Sequence, residues 1–269
     1  MPILEQSRND SVRSALLTNA PSELIEELEL AMRLDQIEVR FQPQFASIDG
    51  RVVGAEALLR WQHPTYGEIG AGELFALAAK ARMAEALARD ALSRTLRSAV
   101  NWPSDMRLSV NVTPKLLLSD GFGELLRHEL SSSELDTTQL TLELTEEILL
   151  DDLDLAARRL AKLREEGVRI ALDDFGAGFC NFDYLKRLPL DALKLDRSMV
   201  QGIAGNERDL AVFRAMVALA QALDLAVIAE GIETEEQSRA VVSEGCAYWQ
   251  GFLGAEPLAY DAFREFVAN

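Results

Sequence analysis

The chain has 269 residues, 48% of them apolar and 26% charged, and a formal net charge of −17. That length and apolar content suit one large globular domain with an ample core. The charge excludes direct docking on a DNA or RNA polymer: no Lys/Arg-rich run offsets it, so a phosphate-bearing partner needs bound cations between itself and the protein.

Residues 1–20 are polar and irregular and read as an N-terminal linker or tail, leaving 21–269 as the folded domain. "PSELIEELELAMRLDQ" predicts an amphipathic helix with Pro21 in its first turn. From there, short runs rich in Val, Ile and Leu alternate with longer helical patterns. Strands are expected at 38–43, 52–60, 107–112, 139–145, 168–173, 191–195, 226–230 and 247–250. Helices are expected at about 71–81, 84–100, 122–131, 152–166, 181–187, 207–223 and 233–244. Eight strand–helix units in one domain of this size predict an α/β fold of the (β/α)8-barrel kind, with a doubly wound open sheet as the alternative. The longest apolar stretch, "AMVALAQALDLAVIA", carries Gln221 and Asp224 and reads as a helix followed by a strand, not a membrane span. No signal peptide is recognisable. Cys180 and Cys246, without a C-x-x-C spacing, read as unligated thiols and suit a reducing compartment.

Polar residues recur where these strands end. Glu56 lies in "VVGAEALLRW", Asn111 in "LSVNV" and Glu143 in "LTLELTEE". Asp173 and Asp174 close "RIALDD", Lys194 lies in "DALKLD", Glu230 in "AVIAEG" and Gln250 in "AYWQG". In a barrel these ends converge on one face, where the chemistry of such folds is found. Singly, a carboxylate after a strand is most often a helix cap or a solvated loop residue. Coincidence across seven segments is harder to dismiss.

The set has a chemical character. Five carboxylates and an asparagine oxygen are hard donors suited to Mg²⁺ or Mn²⁺. His63, before Pro64 in a turn, and His128, in a helical segment, read as structural, which argues against a zinc cluster or a Ser-His-Asp triad. Five carboxylates exceed the needs of one ion that keeps waters. Two cations bridged by Asp173, about 3.5–4 Å apart, would form the usual clamp for in-line attack on a phosphodiester. Lys194 would then orient the attacking water or offset charge on the pentacoordinate phosphorus. Asp173 and Asp174 would tolerate each other because cations sit between them.

"EALLRW" (56–61), "QP" (42–43), "VNVTP" (110–114), "ELTE" (143–146), "DDFGAGF" (173–179), "LKLDRSMV" (193–200), "AEGIET" (229–234) and "CAYWQGFLGAEPL" (246–258) resemble the EAL domain family, which contains cyclic di-GMP phosphodiesterases of bacterial signalling. The resemblance covers roughly residues 22–268. It implies a TIM-like barrel whose first strand, near Arg40, runs antiparallel to the rest. It implies hydrolysis of cyclic di-GMP to linear pGpG, dependent on two ions of Mg²⁺ or Mn²⁺ and inhibited by Ca²⁺. By motif match, Glu56, Asn111, Glu143 and Asp173 resemble the ligands of one metal; Asp173, Asp174 and Glu230 resemble the side of the second. Lys194 and Gln250 resemble the groups that hold the catalytic water, with a formal base role for Glu230 left open. Arg60 resembles the phosphate clamp, which its planar fork suits. Gln42 resembles a substrate contact, with Asp196 and Glu233 weaker candidates. Glu146 resembles the anchor of the loop after Asp174.

That loop departs from the family pattern: Ala177, Phe179, Cys180 and Asn181 stand where hydroxyl-bearing residues are usual. This bears on regulation and basal rate more than on the chemistry. The family also implies a homodimer. The short, polar N-terminus suggests a fragment of a longer sensory protein, with a GGDEF or sensory domain upstream and membrane attachment of the full-length protein left open; the domain itself is expected to be cytoplasmic. Two competing readings are a catalytically silent EAL-type receptor that signals by contact and an unrelated Mg²⁺-dependent enolising barrel. The first usually lacks metal-ligand positions that are present here; the second does not predict "EALLRW" or Arg60.

Overall fold

The computed structural model describes residues 22–99, 102–133, 135–145, 152–178 and 182–268. The expected N-terminal tail, Glu146, Cys180 and Asn181 lie outside them. The chain opens with helix α1 (Ser22–Arg33), then strands β1 (Ile37–Ala46), β2 (Val52–His63) and β3 (Gly67–Gly70). Helices α2 (Ala71–Lys80) and α3 (Ala84–Ser98) follow, then β4 (Arg107–Asn111), the single turn α4 (Pro114–Leu117) and α5 (Phe122–Ser133). Next come β5 (Leu140–Thr145), α6 (Leu153–Glu165), β6 (Arg169–Phe175), α7 (Phe182–Arg187) and β7 (Ala192–Leu195). The chain continues with the turn α8 (Arg197–Val200), α9 (Glu207–Ala222), β8 (Ala226–Ala229), α10 (Glu235–Ser243), β9 (Tyr248–Trp249) and α11 (Tyr260–Ala268).

Eight of the strands close into a barrel in the order β1-β9-β8-β7-β6-β5-β4-β2, and a β1–β2 ladder completes the ring. That ladder excludes the open-sheet alternative. β1 is antiparallel to both neighbours, β2 and β9, while β2 and the strands from β4 to β9 pair in parallel. β3 stands outside the ring as a hairpin partner of β2.

Period-two alternation sorts the barrel strands into two layers. Outward residues such as Leu108, Val110, Leu140, Leu142, Ile170, Leu172, Leu193 and Val227 are buried against the helices in one continuous core. Low in the barrel, Ala171, Ala192 and Ile228 form a small apolar cluster beside Tyr248. Higher up, the inward positions become Gln42, Gln44, Glu56, Glu143, Asp173, Lys194 and Gln250, all buried. The apolar cost of building strands is met on the outer face, so the inner face is free to carry polar groups.

The helices carry ordinary start signals. Asp152 Oδ1 accepts from the Leu155 amide ahead of α6, Asn206 caps α9, and Thr234 with Gln237 forms a capping box on α10. A second cluster packs α1 through Leu24, Leu28 and Ala31 against Trp61, Ile69 and Leu74. His63 fastens the same region. Its Nδ1 accepts the amides of Thr65 and Tyr66, so Nε2 donates to Glu27 on α1 at 2.9 Å. His63 is thus structural as expected, whereas His128 is exposed on α5.

Four elements go beyond the sequence expectation: β3, the one-turn helices α4 and α8, and α11. The four residues of "GEIG" pair with Arg60–His63 of the lengthened β2. Among the described residues, no helix is long and apolar enough to cross a membrane.

Candidate active site

The strand ends do converge. Lys194 sits at their centre, with no exposed side-chain surface. Its Nζ lies 2.6 Å from Glu143 Oε2, 2.8 Å from Glu230 Oε1, 3.0 Å from Asp173 Oδ1 and 3.1 Å from Glu56 Oε2. An ammonium has three protons, so four carboxylates surround one more partner than it can serve. A lysine this deep is held charged only by such company. Burial lowers its proton affinity, but the charges of Asp173, Glu143, Glu230 and Glu56 raise it well above the usual lysine range.

The carboxylates respond in opposite senses. Burial works against ionised Glu56, yet the Lys194 charge and donors from Gln250, Lys194 and Asn111 outweigh it and hold Glu56 below the usual range. Burial and the nearby Glu56 charge push Glu143 well above it. Burial raises Asp173, against the opposing charge of Lys194. Burial likewise drives Glu230 well up, with Lys194 again opposing. Asp174 is pushed up to about 6 by burial and by the adjacent Asp173.

A network of amides completes the floor. Gln250 Nε2 donates to Glu56 Oε2 at 2.7 Å and to Glu230 Oε1 at 2.9 Å, while its Oε1 accepts from Gln44 Nε2 at 3.0 Å. Both Gln250 donors are therefore engaged by carboxylates here. Gln44 was not singled out from sequence; a glutamine inside a β-strand carries no signal of its own. Asn111, exposed at the rim, donates Nδ2 to Glu56 Oε1 at 2.8 Å, which leaves its amide oxygen for another partner.

The adjacent pair is resolved by a bulge. β6 pairs Leu172 with Leu193 and then Phe175 with Leu195, so one extra residue is inserted on β6. Asp174 takes a left-handed backbone (φ 55°) at that point. Neighbouring strand residues normally face opposite ways; here the bulge lets both carboxylates reach the same mouth. Carboxylate oxygens of Asp173, Asp174 and Glu230 come within 4.8 Å of one another, as do those of Glu56, Glu143 and Asp173.

These residues fit hard divalent cations. Every candidate ligand is an oxygen, two carboxylate groups share Asp173, and Glu143 Oε1 is buried with no hydrogen-bond partner among the described residues. A buried acceptor without a donor is costly, and a cation would satisfy it.

The outer candidates lie on the same side. Gln42 faces Glu56 across the β1–β2 ladder. Arg60, two turns of alternation above Glu56 on β2, donates Nη1 to the Leu59 carbonyl and pairs with Glu68 on β3. Asp196 caps α8 by accepting the Ser198 amide, and Glu233 pairs with Arg197 at 3.4 Å. Both have structural tasks in this arrangement. Glu146 lies outside the described residues.

Comparison with known proteins agrees with the geometry. A family model described as EAL domain matches residues 25–257. Cyclic di-GMP phosphodiesterase NbdA of Pseudomonas aeruginosa is 39% identical over 258 residues, covering 94% of this chain and 33% of NbdA. The bifunctional diguanylate cyclase/cyclic di-GMP phosphodiesterase MucR of the same organism is 33% identical over 98% of this chain and 40% of its own length. The solved c-di-GMP complex of the MucR phosphodiesterase superposes with a TM-score of 0.84 at 33% identity, covering 90% of this chain and 99% of that one. The chain thus spans well under half the length of these two curated relatives.

Proposed function

The chain belongs to the EAL domain family, and from that premise we propose that it is a metal-dependent phosphodiesterase that hydrolyses cyclic di-GMP to linear pGpG. The observation that carries this reading is the mouth itself: five carboxylates, an asparagine and a buried lysine delivered by separate strands, with no metal-ligand position missing.

Glu56, Asn111, Glu143 and Asp173 would hold one cation, and Asp173, Asp174 and Glu230 a second. Mg²⁺ or Mn²⁺ suits such donors, and the charge left after Lys194 offsets one of five carboxylates is what two divalent ions would neutralise. When bound, the cations polarise the scissile phosphate and make a nearby water more acidic.

The protein's own groups set the rest. Lys194 Nζ and Gln250 Nε2 both meet Glu230 Oε1, so a water that takes the place of either contact finds donors and an acceptor at one spot. Glu230 Oε1 is placed to accept the proton that water gives up. The water oxygen bonds to phosphorus, the P–O3′ bond breaks, and the proton balance returns to the departing 3′-oxygen. A 5′-phosphate remains on the linear product. Arg60, above the acidic centre, offers guanidinium donors to a phosphate oxygen. Gln42, opposite Glu56 across the ladder, would make a polar contact with the same ligand.

The deciding experiment is turnover. The purified chain is incubated with cyclic di-GMP and Mg²⁺, Mn²⁺, Ca²⁺ or EDTA, and products are separated by chromatography. pGpG is expected with Mg²⁺ or Mn²⁺ only. Tight binding with no product under any metal would sink the enzymatic reading in favour of a silent receptor.

A further inference from the structure

β3 is not needed to close the barrel, and its placement against β2 gives it another use. On β2, Glu56, Leu58, Arg60 and Gln62 alternate onto one face. Register sets Gln42 opposite Glu56, Arg40 opposite Leu58, and Glu68 of β3 opposite Gln62. One continuous face therefore runs from the acidic centre outward through two arginines to a glutamate.

Glu68 is tied three ways. Its Oε2 lies 2.9 Å from Arg40 Nη1 and accepts from Gln62 Nε2 at 2.7 Å, and its Oε1 lies 3.3 Å from Arg60 Nε. The two guanidiniums are close enough for Arg40 to work against the charge on Arg60, after burial, with Glu68 opposing both effects. Without that carboxylate, two cations of like charge would stand side by side and drift apart. With it, both are held, and Glu38 adds a longer contact to Arg40 at 3.8 Å. Glu68 and the Leu59 carbonyl engage the Nε side and one Nη1 proton of Arg60. A guanidinium has five donors, so some remain for an anion. Arg60 is 15% exposed and Arg40 25%, so both can meet one.

We propose that Glu68 is a positioning residue that holds Arg60, with Arg40 beside it, as a paired guanidinium station for a substrate phosphate. The proposal rests on the phosphodiester reading above. A cyclic dinucleotide carries two phosphates, and an anion station outside the acidic centre would fix the ligand's orientation through binding, not through the chemical step.

The test compares Glu68→Ala, Glu68→Gln and Arg40→Met with the wild-type chain in steady-state cyclic di-GMP hydrolysis at low ionic strength, with circular dichroism to check folding. Glu68→Ala should raise KM about tenfold and leave kcat within about twofold, the signature of lost binding shared by ground and transition states. Glu68→Gln keeps an oxygen acceptor and should recover part of the loss. Arg40→Met keeps the apolar stem and should raise KM by several-fold on its own. An unchanged or lower KM in Glu68→Ala overturns the proposal, a lower one meaning that the carboxylate merely repels substrate. Should Glu68→Ala not fold, an unchanged KM in both other variants overturns it equally. Absence of turnover in the wild-type chain defeats the phosphodiester reading; turnover with indifferent variants defeats only the role of Glu68.

Discussion

Lys194 Nζ stands 2.6 Å from Glu143 Oε2, and neither side chain exposes any surface. This pair is the deepest contact of the acidic mouth. Breaking a buried ion pair by removing one partner leaves an uncompensated charge, typically at a cost of about 3–5 kcal/mol. Lys194→Met should therefore melt several degrees lower than wild type in EDTA. Mn²⁺ should return part of that loss by taking over the carboxylates, and kcat should fall with little change in KM. Thermal melts with and without Mn²⁺, beside steady-state kinetics, check all three. A variant as stable as wild type in EDTA would mean that the carboxylates are already protonated and need no cation.

Asp173 belongs to both carboxylate groups, and Glu56 receives hydrogen bonds from Lys194, Gln250 and Asn111. Glu56→Ala and Asp173→Asn should each lower kcat at least roughly a thousandfold, since a bound cation supplies several kcal/mol of transition-state stabilisation. Equilibrium Mn²⁺ binding should weaken in parallel while circular dichroism stays native. Near-normal turnover in either variant would refute the two-cation assignment.

Asp174, pushed up to about 6, gives cation binding a pH dependence with a definite sign. Between about pH 4 and about pH 6 the metal-free fold keeps a proton that the unfolded chain has released. Through this group, then, the metal-free fold loses stability as pH rises across that window. A cation must displace the same proton, so its apparent affinity grows with pH there. The Mn²⁺-induced rise in Tm should be small near about pH 5 and larger near about pH 7. Asp174→Asn should flatten this trend. A wild-type Tm increment independent of pH would count against it.

Cys246 is 3% exposed, and burial, helped by Glu244, pushes its thiol up to about 12. Near neutral pH its thiolate is too scarce to react. Iodoacetamide should label the peptide containing Cys246 only after denaturant is added, as read by mass mapping. Labelling of the native protein at that peptide would contradict the burial of Cys246 in the core.

Much of the site was legible because each polar residue interrupts an otherwise apolar strand. Glu56, Glu143, Asp173 and Lys194 stand out against their neighbours, and a parallel barrel leaves them one place to meet. The antiparallel β1 came from family resemblance, and the register from Ile37↔Trp61 to Gln44↔Gly54 bears it out. What stayed hidden depends on long-range partners. Gln44 matters only because Gln250, far along the chain, needs its amide fixed. Glu68 carries no signal in the sequence, because its partners come to it only through the pairing of β3 with β2. The bulge at Asp173 and Asp174 leaves no local mark, since an inserted residue shifts pairing without changing composition. α11 was missed because its short run carries no stop signal, although Phe263 packs on Phe41 and Trp102.

The reversed direction of β1 also decides where mechanical input arrives. In a fully parallel barrel the first strand begins at the floor, and whatever precedes it is a barrel's height away from the chemistry. Here β1 begins at the mouth, with Glu38 abreast of Arg60, and α1 ends three residues before it. The His63–Glu27 bond clamps the same helix to the far end of β2. A twist or pull on α1 thus acts on a short lever whose load is the arginine-bearing rim. The route from α1 to the rim that carries Arg60 is therefore a short linker and the start of one strand, with no barrel core in between.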